Sequence, residues 1–135
     1  MKVLIDTNVV FDVFARRQPH YSASNHILKL ARRKKIAAAV AAHTVANLFY
    51  FYQRPAVAFL REDLLPNVEV AAADSFLTLA SLNLGMPDLE DALQVGAALD
   101  WKAAFIITRN VRHFKKSNVP AMTPVEWIKR FEPAL

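Results

Sequence analysis

The sequence contains no cysteine. Disulfides, thiolate nucleophiles and cysteine-based zinc sites are therefore excluded, and the absence fits a reducing, cytoplasmic setting. There is no internal repeat, no low-complexity tract and no linker-like stretch. Nothing divides the 135 residues, and that length suits one domain with one core over 1–135. No long apolar run opens the chain. One lysine and four apolar residues precede Asp6, too few for a signal peptide or a membrane span. Two further absences concern charge. Between Asp12 and Glu62 there is no acid, while nine basic residues occur, among them Arg16, Arg17 and Arg32 to Lys35. From Glu62 to Asp100 there is no lysine or arginine, while eight acids occur. Basic residues return as Lys102, Arg109, Arg112, Lys115 and Lys116.

This segregation, with a net charge of +5, suits an acidic site served by a phosphate-binding rim. It equally suits solvated helix faces whose lysines complement helix C-termini. The basic stretch is expected to line the approach to the acidic pocket.

Apolar residues make up 54% of the chain, enough for a packed core. Val3-Leu4-Ile5 and Phe105-Ile106-Ile107 are short continuous apolar runs, the pattern of strands buried on both faces. Ile36–Ala42, Val68–Ala72 and a short stretch near Ala121-Met122 are further strand candidates, the alanine-rich one having helix as its competitor. Helices are expected over 8–15, 21–34, 44–53, from Pro55 to before Pro66, from an Asp74 cap to about Leu84, over 89–100 from an Asp88 cap, and over 124–131. In the helix over 44–53, Val45, Leu48, Phe49 and Phe51 or Tyr52 should be buried. Strands alternating with helices imply a three-layer α/β/α fold with a mainly parallel central sheet.

In open parallel sheets, ligands bind beyond the C-terminal ends of the strands. Two strand ends carry polar clusters: Asp6-Thr7-Asn8 and Thr108-Arg109-Asn110. A carboxylate at the end of a buried strand is costly unless paired, and a hard divalent cation is one partner. In Asp88-Leu89-Glu90-Asp91, helical spacing sets Leu89, Ala92, Leu93 and Gly96 on the core face. Asp88 and Asp91 share a different face, and Glu90 projects away from both. Asp88 is also a natural N-cap, and acids in a first turn complement the helix dipole.

Asp6-Thr7-Asn8 after an apolar strand resembles the opening of PIN domains. His43-Thr44-Val45-Ala46-Asn47-Leu48 resembles that family's second motif, Asp88 to Ala92 its central acidic motif, Ile106 to Asn110 with Phe114 its last motif, and Met122-Thr123-Pro124 the tail before its final helix. The matches are in order and span nearly the whole chain. The resemblance implies a PIN-like fold and a metal-dependent endoribonuclease, often the toxin of a toxin–antitoxin pair. It implies Mg²⁺ or Mn²⁺ held by Asp6 and Asp91, with Asp88 and Asn110 completing the catalytic set and Asn8, Asn47 and Thr108 in support. RNA and an antitoxin are the implied partners; Arg109 and Arg112, the basic residues closest in sequence to Asn110, are the expected RNA contacts. The family's second motif usually offers glutamate where this chain has Asn47, whose amide brings no charge. A catalytically weakened RNA- or partner-binding module is therefore one alternative. A haloacid-dehalogenase-like phosphatase, with Asp6 as nucleophile, is another, although it would need an acid at position 8.

The four histidines, His20, His26, His43 and His113, lack ligand spacing. Ser22 and Ser24 have the look of helix-start residues. The aromatic run Phe49–Tyr52 suits core packing with one exposed edge, and that edge suits a homodimer seam.

Overall fold

The structure is a computed structural model describing residues 1–135. Strand β1 (Lys2–Ile5) leads into helices α1 (Thr7–Phe14) and α2 (Tyr21–Arg32); β2 (Ala37–Ala41) is followed by α3 (Ala42–Tyr52) and α4 (Arg54–Phe59), which runs on into a π-helical turn over Leu60–Leu64. Then come β3 (Glu69–Ala71), α5 (Ser75–Leu82), α6 (Leu89–Trp101), β4 (Phe105–Ile107), a 3₁₀ turn over Val111–Phe114, β5 (Ala121–Met122) and α7 (Pro124–Phe131).

The five strands form one sheet in the order β3-β2-β1-β4-β5, every neighbour pair parallel. Alternate residues face opposite sides. Val3 and Ile5 join the larger core cluster with α1, α2, α3, α4 and α7, whereas Leu4 joins the smaller one with Val95, Ala97 and Ala98 of α6. The alanine-rich segment 37–41 resolves as the strand beside β1. Its small side chains let helices approach both faces of the sheet. The strand order reverses between β1 and β4, since the chain builds outward from β1 to β3 before returning to β1's other side. That reversal opens a crevice at the strands' C-terminal ends.

Local chemistry fixes the helix starts. Asp74 accepts a hydrogen bond from the Leu77 N–H, Asp88 from the Asp91 N–H, and Thr123 forms a reciprocal capping box with Glu126 ahead of Pro124. Some expectations fail. Helix α3 begins at Ala42, two residues before the expected start, and Thr44 is buried within its first turn. Phe49, Tyr50 and Phe51 are exposed and only Tyr52 turns inward, against Phe11 and Phe14. Leu89 is 51% exposed, and Gln94 is buried on α6 instead. The helix lies across the sheet with a second helix on its flank, so its buried arc is set by two neighbours and a single-stripe reading misplaces it.

That flank is α5. A Cβ built on Gly96 would lie 2.1 Å from Ser81 Oγ, so the two helices meet where α6 has no side chain. Gly96→Ala is expected to destabilise the fold by about 1–3 kcal/mol through overpacking. Adding Ser81→Ala should recover most of that loss, since the next nearest atom is 3.4 Å away. Urea denaturation of the two single variants and the double variant measures the coupling, and additive losses would contradict this close approach.

Candidate active site

Asp6 leaves β1 at the crevice and is the N-cap of α1. It is only 5% exposed. Three donors hold its carboxylate. The Thr7 N–H reaches Oδ1 at 2.8 Å, the Thr108 hydroxyl reaches Oδ2 at 2.7 Å, and the Asn8 amide reaches Oδ2 at 3.2 Å. Asn8 also clasps the two strand ends together, its Oδ1 accepting from the Arg109 N–H at 3.2 Å. The Asn110 N–H donates to Thr108 Oγ1 at 3.0 Å, so the turn after β4 orients the hydroxyl that orients Asp6. Asn110 itself is exposed.

Two acids of α6 bear on Asp6. Its pKa is raised to about 6, chiefly by burial and also by the charges of Asp91 and Glu90, against the lowering effect of its hydrogen bonds from Thr108 and Thr7. Asp91 is itself pushed up, first by burial and then by Asp88, with His113 opposing; His113 Nδ1 lies 3.4 Å from Asp91 Oδ2. Asp88 spends one oxygen on the Asp91 N–H at 3.0 Å, so its capping role is realised. Glu90 does not project away. It leans toward α3, where Asn47 Nδ2 donates to its Oε1 at 3.2 Å, and it contributes to the potential at both Asp6 and His43. Asn47 thus stands at the rim of the cluster.

Beneath the acids lies a hydroxyl–amide knot. Thr7 and Thr44 hydroxyls are 2.7 Å apart, and the buried Gln94 donates to Thr7 Oγ1 at 3.1 Å. Gln94 Nε2 is also 3.3 Å from His43 Nε2, and burial holds the His43 imidazole below its ordinary pKa, opposed by Glu90 and Asp88. Gln94 sits one turn beyond Asp91 on α6. That spacing was the only sequence signal for it. Asp12, fully buried on α1, accepts from Arg109 Nε at 2.6 Å. Nothing in the sequence singled out this pair.

A cleft of about 380 Å³ opens beside Asp88 and Asp91, with Arg112, His113, Lys115 and Lys116 along its wall. The basic run Arg32–Lys35 lies elsewhere. It joins the end of α2 to the start of β2, and so sits at the N-terminal edge of the sheet, opposite the crevice. Helices that return from strand ends carry their C-terminal lysines to the far edge. The local rim is therefore built by residues 112–116.

No three acidic or histidine side chains converge tightly enough to cage an ion by themselves. The donor set is nonetheless all oxygen, with two carboxylates of raised pKa facing one crevice. That chemistry fits a hard divalent cation, which binds through one or two carboxylates and keeps several waters; it offers nothing to a thiolate-seeking metal.

An acid whose folded pKa lies above its unfolded value holds its proton more tightly in the folded chain. The destabilisation from ionising Asp6 is absent below about pH 4, grows as pH rises, and is complete above about pH 6, reaching about 3 kcal/mol. In metal-free solution, Asp6→Asn should therefore stabilise the fold by about 1–3 kcal/mol at pH 7.5 and by little at pH 4. Chemical denaturation of both proteins across this range measures the difference. A constant offset would show that Asp6 ionisation carries no folding cost.

The model of the PIN domain family matches residues 2–112. Among solved structures, VapBC2 from Rickettsia felis, bound to a DNA fragment from its promoter, gives a TM-score of 0.68 at 18% identity, covering 91% of this chain and 98% of that one. A toxin–antitoxin complex from Klebsiella pneumoniae gives 0.64 at 20% identity, covering 90% and 97%. VapBC-1 from nontypeable Haemophilus influenzae gives 0.63 at 19%, covering 93% and 99%. No curated protein matches the chain. No helix is long and apolar enough to cross a membrane. The match from the first strand through the turn after β4 takes in Asp6, Asp91 and Asn110 and sets aside a phosphatase of the haloacid-dehalogenase type: this chain belongs to the PIN domain family.

Proposed function

We propose that this chain is a metal-dependent endoribonuclease and the toxin of a toxin–antitoxin pair. One observation carries the reading: a buried carboxylate, Asp6, is fixed by three donors at the sheet's switch point while Asp91 and Glu90 add negative charge to the same crevice. Such an arrangement costs folding stability and is relieved by a bound cation. Asp6 and Asp91 would hold Mg²⁺ or Mn²⁺. When bound, such an ion supplies charge stabilisation at the phosphoryl oxygens and activates water for hydrolysis.

The chain's own groups do the positioning. Thr108, Asn8 and the Thr7 N–H leave the Asp6 carboxylate one orientation. The first turn of α6 carries Asp88, Glu90 and Asp91 to the opposite wall. Asn110, exposed two residues beyond Thr108, would be within reach of an entering strand, and Asp88 keeps one oxygen free of its capping bond. Arg112, Lys115 and Lys116 offer cations along the cleft that leads to Asp91, where RNA phosphates dock by counterion release. Arg109 contributes through its guanidinium edge, since its Nε is committed to Asp12.

The similar structure from Klebsiella pneumoniae is described as a toxin–antitoxin complex, and an antitoxin here would insert an arginine or lysine between Asp6 and Asp91, meeting the carboxylates without metal. The exposed edge Phe49–Phe51 suits a homodimer seam, and the setting is cytoplasmic. A second reading, a binding module with weakened chemistry, is favoured by Asn47, whose neutral amide meets Glu90 where the family usually has an acid.

Incubation with structured and unstructured RNAs, with and without Mn²⁺, distinguishes the two. Cleavage should require metal and fall by about 100-fold or more in Asp6→Ala, the scale of lost transition-state charge stabilisation. Cleavage indifferent to both chelator and Asp6→Ala would end the nuclease reading. Metal binding without cleavage of any RNA, with activity appearing in Asn47→Glu, would establish the weakened module.

The rim makes a separate prediction. Replacing Arg112, Lys115 and Lys116 together by alanine should weaken RNA binding and flatten its salt dependence, by about one unit of slope for each phosphate no longer neutralised. The paired change at Lys129 and Arg130, on α7, should leave both unaltered. Filter binding at several salt concentrations reads the effect, and equal losses from the two sets would reduce these residues to a solubilising surface.

A further inference from the structure

A second polar pocket, of about 420 Å³, lies on the other side of the crevice, between the N-terminus of α2 and the segment that enters α7. No carboxylate lines it. Four observations converge there. Ser24 lines the pocket, is fully buried, and its hydroxyl has no hydrogen-bond partner. Helix α2, twelve residues long, begins at His20 with no side-chain cap. The N–H groups of Ser22 and Ala23 find no acceptor in the chain, whereas Tyr21 and Ser24 donate to Arg17 and His20 carbonyls. Arg109 lines the pocket, with Nε bonded to Asp12 Oδ2 and its Nη nitrogens without a partner in the chain.

A buried hydroxyl without a partner costs stability and is retained where something meets it. The uncapped N-terminus of α2 adds free N–H donors and the positive end of a helix dipole. Asp12 neutralises Arg109 formally, so the pocket's selectivity lies in directed donors more than in net charge. It also fixes the guanidinium plane, leaving the outer edge as a preorganised fork of the kind that grips tetrahedral oxyanions. Arg109 directly follows Thr108, whose hydroxyl holds Asp6. The pocket is thus one residue along the backbone from the acidic centre, and opposite the cleft of Arg112, Lys115 and Lys116.

We infer that this pocket is a phosphate subsite for the RNA strand, formed by Arg109, Ser24 and the free N–H groups at the start of α2. It takes a backbone phosphate a short distance along the strand from the one at Asp6 and Asp91. The inference rests on the nuclease reading for its ligand and not for its chemistry. With one phosphate in the cleft beside Asp91 and another here, the strand is held on both sides of the scissile position. That placement determines which bond lies over the acids.

Titration with inorganic phosphate, followed by ¹H–¹⁵N NMR, tests the chemistry without any cleavage assay. The Ser22 and Ala23 amides and the Arg109 Nε–H should shift together. Ser24→Ala should weaken phosphate about tenfold, the loss expected for one hydrogen bond to a charged ligand. It should leave or raise the stability of the phosphate-free fold, because the hydroxyl it removes is unpartnered. Ala23→Glu, at the half-buried rim, should abolish the shifts by placing a carboxylate where the anion sits. Fluorescence anisotropy with a labelled single-stranded RNA then identifies the source: Ala23→Glu should weaken RNA binding about tenfold, and cleavage should lose in KM with kcat retained. Absence of phosphate-dependent shifts at these groups would overturn the subsite. Phosphate binding with RNA affinity unchanged in Ala23→Glu would overturn its assignment to the RNA strand. Loss of metal-dependent cleavage as an activity of this chain, with the NMR response intact, would fail the nuclease reading alone.

Discussion

The buried carboxylate of Asp6 is the constraint around which this molecule is arranged. Removing a charge from water is costly, and the chain meets that cost with three directed hydrogen bonds drawn from two different strand ends. Each of those donors is itself fixed. Thr7 is held through its hydroxyl to Thr44, Asn8 through Arg109, and Thr108 through the Asn110 N–H. The result is a rigid anchor point in the crevice. It stays electrostatically incomplete, because Asp91 and Glu90 add repulsion from the facing helix. Site and stability pull in opposite directions here, as is common where strain is kept for function.

The same strand ends serve both sides of the sheet. The turn after β4 sends Thr108 toward Asp6 at the start of α1 and Arg109 toward Asp12 near its end. A single short segment thereby couples the acidic crevice to the pocket at α2. Beneath it, Gln94, Thr7 and Thr44 tie α6, α1 and α3 together, so the two helices that bear the acids share one polar core with α3. Buried networks of this kind fix geometry more strictly than apolar packing, because partial satisfaction is costly.

Much of the architecture was legible in the residues. The apolar triplets at 3–5 and 105–107 read as buried strands because a central parallel strand has no solvent face. Asp74, Asp88 and the Thr123–Glu126 pair read as helix starts because capping is local chemistry. Asp6 stood out because a charge at the end of an apolar run asks for a partner, and Asp91 through its helical spacing from Asp88 and the resemblance of that segment to a PIN motif. The α3 start at Ala42, the exposure of Leu89 and the outward turn of Phe49 were misread. Each depends on what packs alongside, and helical spacing alone counts only one neighbour.

The sequence by itself determined the order of strands and helices, the capped helix ends and the residue types available at the two strand termini, since these rest on interactions within a few residues. Tertiary structure alone decided that Glu90 turns to Asn47, that Asp12 is buried against Arg109, that Ser24 is left without a partner, and that the basic run at 32–35 lies at the far edge of the sheet. Those outcomes join groups up to 97 positions apart along the chain. Nothing in local propensity encodes them. They follow from the parallel sheet, which brings the C-terminal ends of distant strands to one edge and carries every returning helix to the other.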